Sequence, residues 1–533
     1  MSTATSVHAS GVGISLRVQW RTGWKAFAAW VLGLLALVVI TAVSILGLYD
    51  TPEKLATYAA TSDTPALRML NGAVAGLGTL GGVMVNELGF VVAFAVPLLA
   101  IGLTLRGTRR EEEAGRLELL LSSRMGRQAP LVAAVLLALG ALAVLGALTT
   151  ATFIAAGAET SGSLLYGVDL FTFGAIWVGL TAVLAQAFGH TRSVWGVGLA
   201  LVVASIIVRG IGAVDGTAAV WFSPHGWYDE VAPFGEDPRV TPFVLAGITT
   251  LLLLALALRL STVRDVGGSL IAPRTGPHRA SAGLRSPLGL AVREHRGTTL
   301  GWAVIIAILM GTYGSLTQTV LDAFAGNPDL TRFLGGDGDQ IVEAMAAMFV
   351  LMLSMLVTAY VVQSLGSLRK EELSGRLELQ LSEARGRIAW LTPHLLVVAL
   401  GAVVVGGVGA LTLAVSTAAS LQDGSWIATI TGAAAAHLPV PLLLAGLSVA
   451  LFGWWPRAQA LTWAVFGVAA VTAYMGPGLD LPQVLIDWSP FGLVGSVPAA
   501  DLDVTGALVA GLGGLALLAV GVVGFARRDI PHR

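Results

Sequence analysis

Long apolar runs separated by short polar ones set the plan of this chain. A helix needs about 20 apolar residues to cross about 30 Å of hydrocarbon. Runs near that length fall at 26–48, 87–105, 131–156, 164–188, 193–213 and 240–260, and again at 300–321, 341–365, 388–418, 427–452, 458–475 and 504–525. They predict an all-α integral membrane protein with about 12 transmembrane helices, in two parallel six-helix repeats. The first transmembrane half is 1–260 and the second is 298–533. A polar cytoplasmic linker at 261–297 joins them, carrying Arg264, Arg274, Arg279, Arg285, Arg293 and Arg296. An amphipathic stretch precedes each half. Leu16–Lys25 mixes basic residues with Trp20 and Trp24, which predicts an interfacial helix over 14–25, and Leu288–Gly297 plays the same part before Trp302.

Charge interrupts this pattern in a repeated way. Arg109–Arg127, RREEEAGRLELLLSSRMGR, returns 260 positions later as Arg369–Arg387, RKEELSGRLELQLSEARGR, with twelve of nineteen positions identical. Specific charged residues kept at a fixed offset inside an apolar chain indicate a duplicated device. Each copy joins the second and third spans of its half, in loops at 106–130 and 366–387. Its core reads as a short amphipathic helix with acidic residues early, where the positive helix end favours them, and charges open to a partner. A second echo follows the fifth span of each half: Ser223-Pro224-His225-Gly226 matches Ser489-Pro490-Phe491-Gly492. Because each half has an even number of spans, both copies share one orientation, as in a parallel repeat.

Composition agrees with a membrane protein, at 55% apolar and 12% charged residues. Placing the N-terminus inside leaves only Lys54, Arg68, Arg209, Arg239 and Arg332 outside, out of 31 Lys and Arg residues. The rule that Lys- and Arg-rich loops stay inside then predicts a cytoplasmic (inner) membrane protein with both termini and both repeated loops in the cytoplasm. The polar start at Met1–Gly11 predicts no cleavable signal.

The chemistry that is missing narrows the function. Cysteine is absent, and the eight histidines show no ligand spacing, so no catalytic residue or metal site is predicted. A phosphate-binding P-loop needs a Lys following a Gly. Neither Lys25, Lys54 nor Lys370 does so. The chain is therefore not expected to be an enzyme, to bind a cofactor or to bind nucleic acid, and any ATP would be used on another polypeptide.

The paired halves, the lead-in before each first span and the E-E-x-x-G-R-L-E-L loop resemble permeases of ATP-binding-cassette exporters of the type-2 class. The closest resemblance is to the duplicated actinobacterial subfamily described as exporters of polyketide antibiotics. It implies that Glu111, Glu112, Gly115, Arg116 and Glu118, with Glu371, Glu372, Gly375, Arg376 and Glu378, couple to a separate nucleotide-binding ATPase subunit. Two copies of that subunit, holding ATP and Mg, would serve one chain. It also implies an outer gate at Ser223, Pro224, Gly226, Ser489, Pro490 and Gly492, and a cavity for a hydrophobic small molecule among membrane lipid. The second span of each half borders that cavity in the family. Met345, Met348, Met352 and Met355 form a stripe on one face of the eighth span and are assigned to it.

Among ionisable residues near the spans, Glu87, Arg209 and Glu343 sit near outer ends and are expected to snorkel, while Asp169 lies deeper. Two other readings compete. A proton-driven transporter of the major facilitator type would show a short Asp-Arg-x-Gly-Arg loop and a buried proton-carrying acid. A non-transporting scaffold or sensor would need no duplicated architecture.

Overall fold

The computed structural model describes residues 10–122, 125–265, 267–271, 278–279, 281–318, 321, 338–382, 386–476 and 481–529. Among them every regular element is helical. The chain forms two units, Met1–Gly276 and Pro277–Arg533. Of the sequence features above, Arg274, Arg332 and the variable positions 123–124 and 383–385 of the repeat lie outside the described residues.

In the first unit the long helices are α1 (Val12–Leu48), α2 (Leu80–Gly107), α3 (Ala129–Ala155), α4 (Thr160–Ala187) and α5 (Thr191–Asp215). A short helix α6 (Pro224–Glu230) precedes α7 (Thr241–Val263). In the second unit they are α8 (Pro287–Ser315), α9 (Gly338–Leu373), α10 (Arg387–Leu421), α11 (Ser425–Ala436), α12 (Pro439–Trp454), α13 (Leu461–Met475) and α14 (Val504–Arg527). In hydrocarbon every backbone group must be satisfied within its own segment, so apolar runs of this length become helices. Side chains fix several starts. Thr79, Ser286 and Asp503 accept hydrogen bonds from Gly82, Gly289 and Gly506 at 3.0, 3.0 and 2.9 Å.

Eleven helices among the described residues are long and apolar enough to cross a membrane. Three departures from the sequence pattern matter. The break expected between the lead-in at 14–25 and the first span is absent, because α1 runs unbroken for 37 residues. No proline interrupts it, and Gln19 ties its first turns down by donating to the carbonyls of Pro130 and Gly107 at 2.9 and 3.2 Å. Leu288–Gly297 is likewise the first part of the continuous α8. Conversely, the span expected at 427–452 is broken at His437 and Leu438 into α11 and α12. Pro439 and Pro441 remove two backbone donors there. The span expected at 458–475 is represented by α13, whose 15 residues reach about 22 Å, short of a full crossing.

In the first unit α3 and α7 pack along α4, around buried Phe153, Tyr166, Phe173 and Trp177. In the second unit α8 packs along α10, and α12 along α14. The α12–α14 pair is close because glycine meets glycine. A Cβ on Gly446 or Gly453 would lie 2.3 or 2.1 Å from the carbonyl oxygen of Gly514 or Gly521. Small residues of this kind let helix backbones approach in membranes, where dispersion contacts replace the hydrophobic effect.

Candidate functional site

The repeated loop is where both units place charge, and each unit builds it the same way. After α2, a turn of helix at Arg109–Glu113 leads through Gly115 into a second at Arg116–Leu121. In the other unit α9 runs on to Leu373, and Gly375 leads into Arg376–Leu381. Gly115 and Gly375 have φ of 69° and 74°, the left-handed region that a side chain resists. This turn is why both copies keep a glycine, and it divides the single amphipathic helix expected from the sequence into two pieces.

The two adjacent glutamates of each copy do different work. Glu112 is buried and gripped by arginines from two directions. Arg109 Nη1 lies 3.1 Å from its Oε2, and Arg264 donates from Nη1 and Nη2 to Oε1 and Oε2 at 2.6 and 2.8 Å. The amide of Gly267 adds a bond of 2.7 Å. Arg264 is the residue that caps the end of α7, so the loop is tied to the last helix of its unit. Glu372 repeats the arrangement. Arg369 approaches its Oε2 at 2.9 Å, and Arg528, at the end of α14, donates from both nitrogens at 2.8 and 2.9 Å. Paired donors in a fork matching a carboxylate give this contact its direction as well as its strength. Glu112 and Glu372 are therefore internal struts, and the expectation that their charges stand open to a partner is corrected.

Glu111 and Glu371 pair instead with Arg116 and Arg376, at 2.7 and 3.0 Å. These pairs sit at the surface, with Arg116 and Arg376 mostly exposed. Leu117 and Leu377 turn inward, and Leu119 and Leu379 turn outward at 74% and 71% exposure. The surface each loop presents is thus Gly115, Arg116, Glu118 and Leu119 in one unit. In the other it is Gly375, Arg376 and Leu379, with Glu378 half-buried beside them. A cavity of about 430 Å³ opens beside the first loop, lined by Gln19, Thr22, Arg106, Glu111, Arg116 and Leu119.

The second repeated motif has a local explanation. Ser223 caps α6, its Oγ accepting from the amides of His225 and Gly226 at 3.2 and 3.3 Å. Ser489 accepts from Gly492 at 3.0 Å. A Cβ on Gly226 would stand 2.0 Å from the carbonyl oxygen of Val220, and one on Gly492 1.9 Å from that of Ile486. Serine, proline and glycine are thus what a tight capped turn requires in both units, Pro224 opening α6 and Pro490 following the serine.

Arg209 does not snorkel. It is fully buried, donates to the carbonyls of Leu70 and Asn71 at 2.6 and 3.4 Å, and lies 3.7 Å from Asp229. In the short α6, outside the spanning segments, burial lifts the Asp229 carboxyl to about 7 against the opposing pull of Arg209. Glu87 accepts from Tyr58 Oη at 2.6 Å. Asp169 is buried within α4, and its Oδ2 has no hydrogen-bond partner among the described residues. Of the methionine stripe, Met348 is 43% exposed while Met352 and Met355 are half-buried against the core. No group of three His, Asp or Glu side chains among the described residues is arranged to hold a metal ion.

A multi-pass helical membrane protein whose charges gather at helix ends and in one duplicated loop has the build of a transport permease. The chain belongs to the family described as "Multidrug efflux system permease Rv1217c, C-terminal domain", which matches it over residues 13–262 and 284–526. It is similar to the multidrug efflux system permease protein Rv1217c of Mycobacterium tuberculosis, at 32% identity over 525 residues, 97% of this chain and 94% of the relative.

Proposed function

We propose that this chain is the membrane permease of an ATP-binding-cassette exporter, moving hydrophobic small molecules such as antibiotics, polyketides and drugs out across the cytoplasmic membrane. ATP and Mg are held on a separate nucleotide-binding subunit, engaged in two copies. The observation that carries this reading is the pair of loops, each braced from within by a buried Glu–Arg clamp and each presenting an exposed leucine and arginine. Single exposed leucines are common on this chain, but these two recur at matching positions of the repeated loops, each three residues after an exposed arginine.

In this reading the ATPase subunits seat against Leu119 and Leu379, beside Arg116 and Arg376, on the cytoplasmic side. Closure of the ATPase pair on ATP pushes on both loops. Glu112 passes the displacement through Arg264 to α7, and Glu372 through Arg528 to α14, so movement outside the membrane reaches a spanning helix directly. The stripe Met345, Met348, Met352 and Met355 is the face of α9 assigned to the transported molecule, and the capped turns at Ser223–Gly226 and Ser489–Gly492 are assigned to the outer gate.

The test is affinity purification in mild detergent of the chain and of a variant carrying Leu119→Asp and Leu379→Asp. An ATP-hydrolysing subunit should accompany the parent chain and leave the variant, with equal amounts of both chains in the membrane. Recovery of the parent alone, with drug export that follows the proton gradient, would overturn the proposal.

A further inference from the structure

The second unit contains a half-open cavity of about 320 Å³ bordered by α9, α10 and the broken pair α11–α12. That volume is at the lower end of the range that small-molecule sites occupy, about 300–1,000 Å³. Its walls are apolar, and no Asp, Glu, Lys or Arg lines it. Val403, Leu411 and Leu438 form its rim, being both lining residues and exposed on the surface of this unit.

Three polar side chains line this apolar space, and Thr431 already donates to the carbonyls of Ile427 and Ala428 at 2.6 and 3.2 Å, which leaves Ser354 and His437. Ser354 of α9 is buried, and its hydroxyl has no hydrogen-bond partner among the described residues. His437, also buried, stands at the break between α11 and α12, with Nδ1 3.0 Å from the carbonyl oxygen of Ala433. A carbonyl only accepts, so in the neutral ring Nδ1 carries the hydrogen and Nε2 is left as an acceptor. At the break the turn amides of His437 and Leu438 donate to the carbonyls of Ala434 and Ala435 at 3.3 and 3.1 Å, and all four residues line the cavity.

Among its described residues the first unit is built differently at the matching positions. Its fourth helix, α4, is unbroken over 28 residues. Counted back 260 positions from Val350 and Ser354, it carries Phe90 and Phe94 on α2, two rings in edge contact at 5.2 Å.

We propose that the cavity between Ser354 and His437 binds a neutral, largely apolar molecule bearing a hydroxyl group, which accepts from Ser354 Oγ and donates to His437 Nε2. A cation would meet no carboxylate there. An anion would meet no positive charge and would face the bare Nε2. The proposal rests on the exporter reading only in taking the occupant as cargo; binding itself requires neither ATP nor a partner subunit. A hydroxylated drug and a membrane diacylglycerol share this chemistry.

The purified full chain in lipid nanodiscs is titrated with tritiated 2-naphthol and with 2-methylnaphthalene, which has the same shape and no hydroxyl. Saturable binding of the naphthol should be about tenfold tighter, the worth of an ordinary hydrogen bond. Ser354→Ala and His437→Leu should each bring the two probes together, and Ser354→Phe should remove saturable binding of both. Displacement by a few mole per cent of diolein assigns the site to lipid, and persistence of the naphthol assigns it to a soluble ligand. Should Ser354→Phe elute as an aggregate, the other two variants decide. Equal binding of both probes, unchanged by any variant, overturns the site and leaves a greasy void. Because no ATPase is present, that failure is separate from loss of the co-purifying subunit.

Discussion

The residue that decides how each loop sits is the second glutamate of its pair. Glu112 and its two arginines are almost wholly out of water, and removing one member of such a group strands the others. Replacing Glu112 with Gln should therefore destabilise the first unit by about 3–5 kcal/mol, the usual cost of an orphaned buried charge. Arg264→Met on the same background should return part of that loss. A double-mutant cycle on thermal unfolding in detergent checks this, and strictly additive effects would show that the clamp is not a unit. Glu111→Gln should cost less than about 1 kcal/mol, because its partner Arg116 is mostly in solvent. The sequence marked both glutamates through the repeat but gave them one role. Their partners were legible only in part. Arg264 stood among the linker cations, and Arg528 drew no attention, because an ion pair spanning 152 or 156 positions leaves no periodicity. The available signal was positional: each arginine follows the last apolar residues of its half.

At the scale of elements, glycine sets the shape of the loop. Gly375→Val would force a branched side chain into a left-handed backbone at a local cost of about 1–2 kcal/mol. We expect the helix at Arg376–Leu381 to detach from its turn while the spans insert normally. Limited trypsin digestion reads this as faster cleavage after Arg376, and an unchanged digestion pattern would mean that the turn tolerates the residue. Most spans were legible in hydrophobic length alone, because a hydrocarbon solvent leaves the backbone little alternative to helix. Breaks were less legible in both directions. A change of amphipathic character near Lys25 suggested a separate surface helix, yet nothing in the backbone stops α1 there. Pro439 and Pro441 do stop a helix, but apolar residues on both sides hid the break within one hydrophobic run. The S-P-x-G motifs were recognisable as repeats, while the reason for their glycines, a carbonyl about 2 Å from where a Cβ would stand, belongs to the folded chain.

At the scale of the whole molecule, one repeated loop is built in two ways. Among the described residues the two loops are held at different places. Glu113 receives the backbone amide of Thr191 at 2.9 Å and its hydroxyl at 2.5 Å, Gly267 adds a bond to Glu112, and Gln186 accepts from Arg264 Nε at 2.7 Å. In the second copy Leu373 replaces Glu113, and Arg528 Nε has no hydrogen-bond partner among the described residues, but Gln380 accepts from Trp390 Nε1 at 2.7 Å and Arg387 donates to the carbonyl of Ala526 at 3.2 Å. Amides at 116–121, a helix with no such bond from a neighbouring helix among the described residues, should therefore exchange hydrogen for deuterium faster than those at 376–381 in the purified chain, and the reverse order would contradict this reading. Stiffness is the consequence of such tethers. Two springs of unequal stiffness under one load do not shorten together. Should two identical motors press on the loops as proposed, the loop with the softer mount would yield further before its spanning helix stirs, while the stiffer mount would hand on nearly the whole stroke. A machine driven through two such loops would then run with a limp, one unit leading each cycle and the other following.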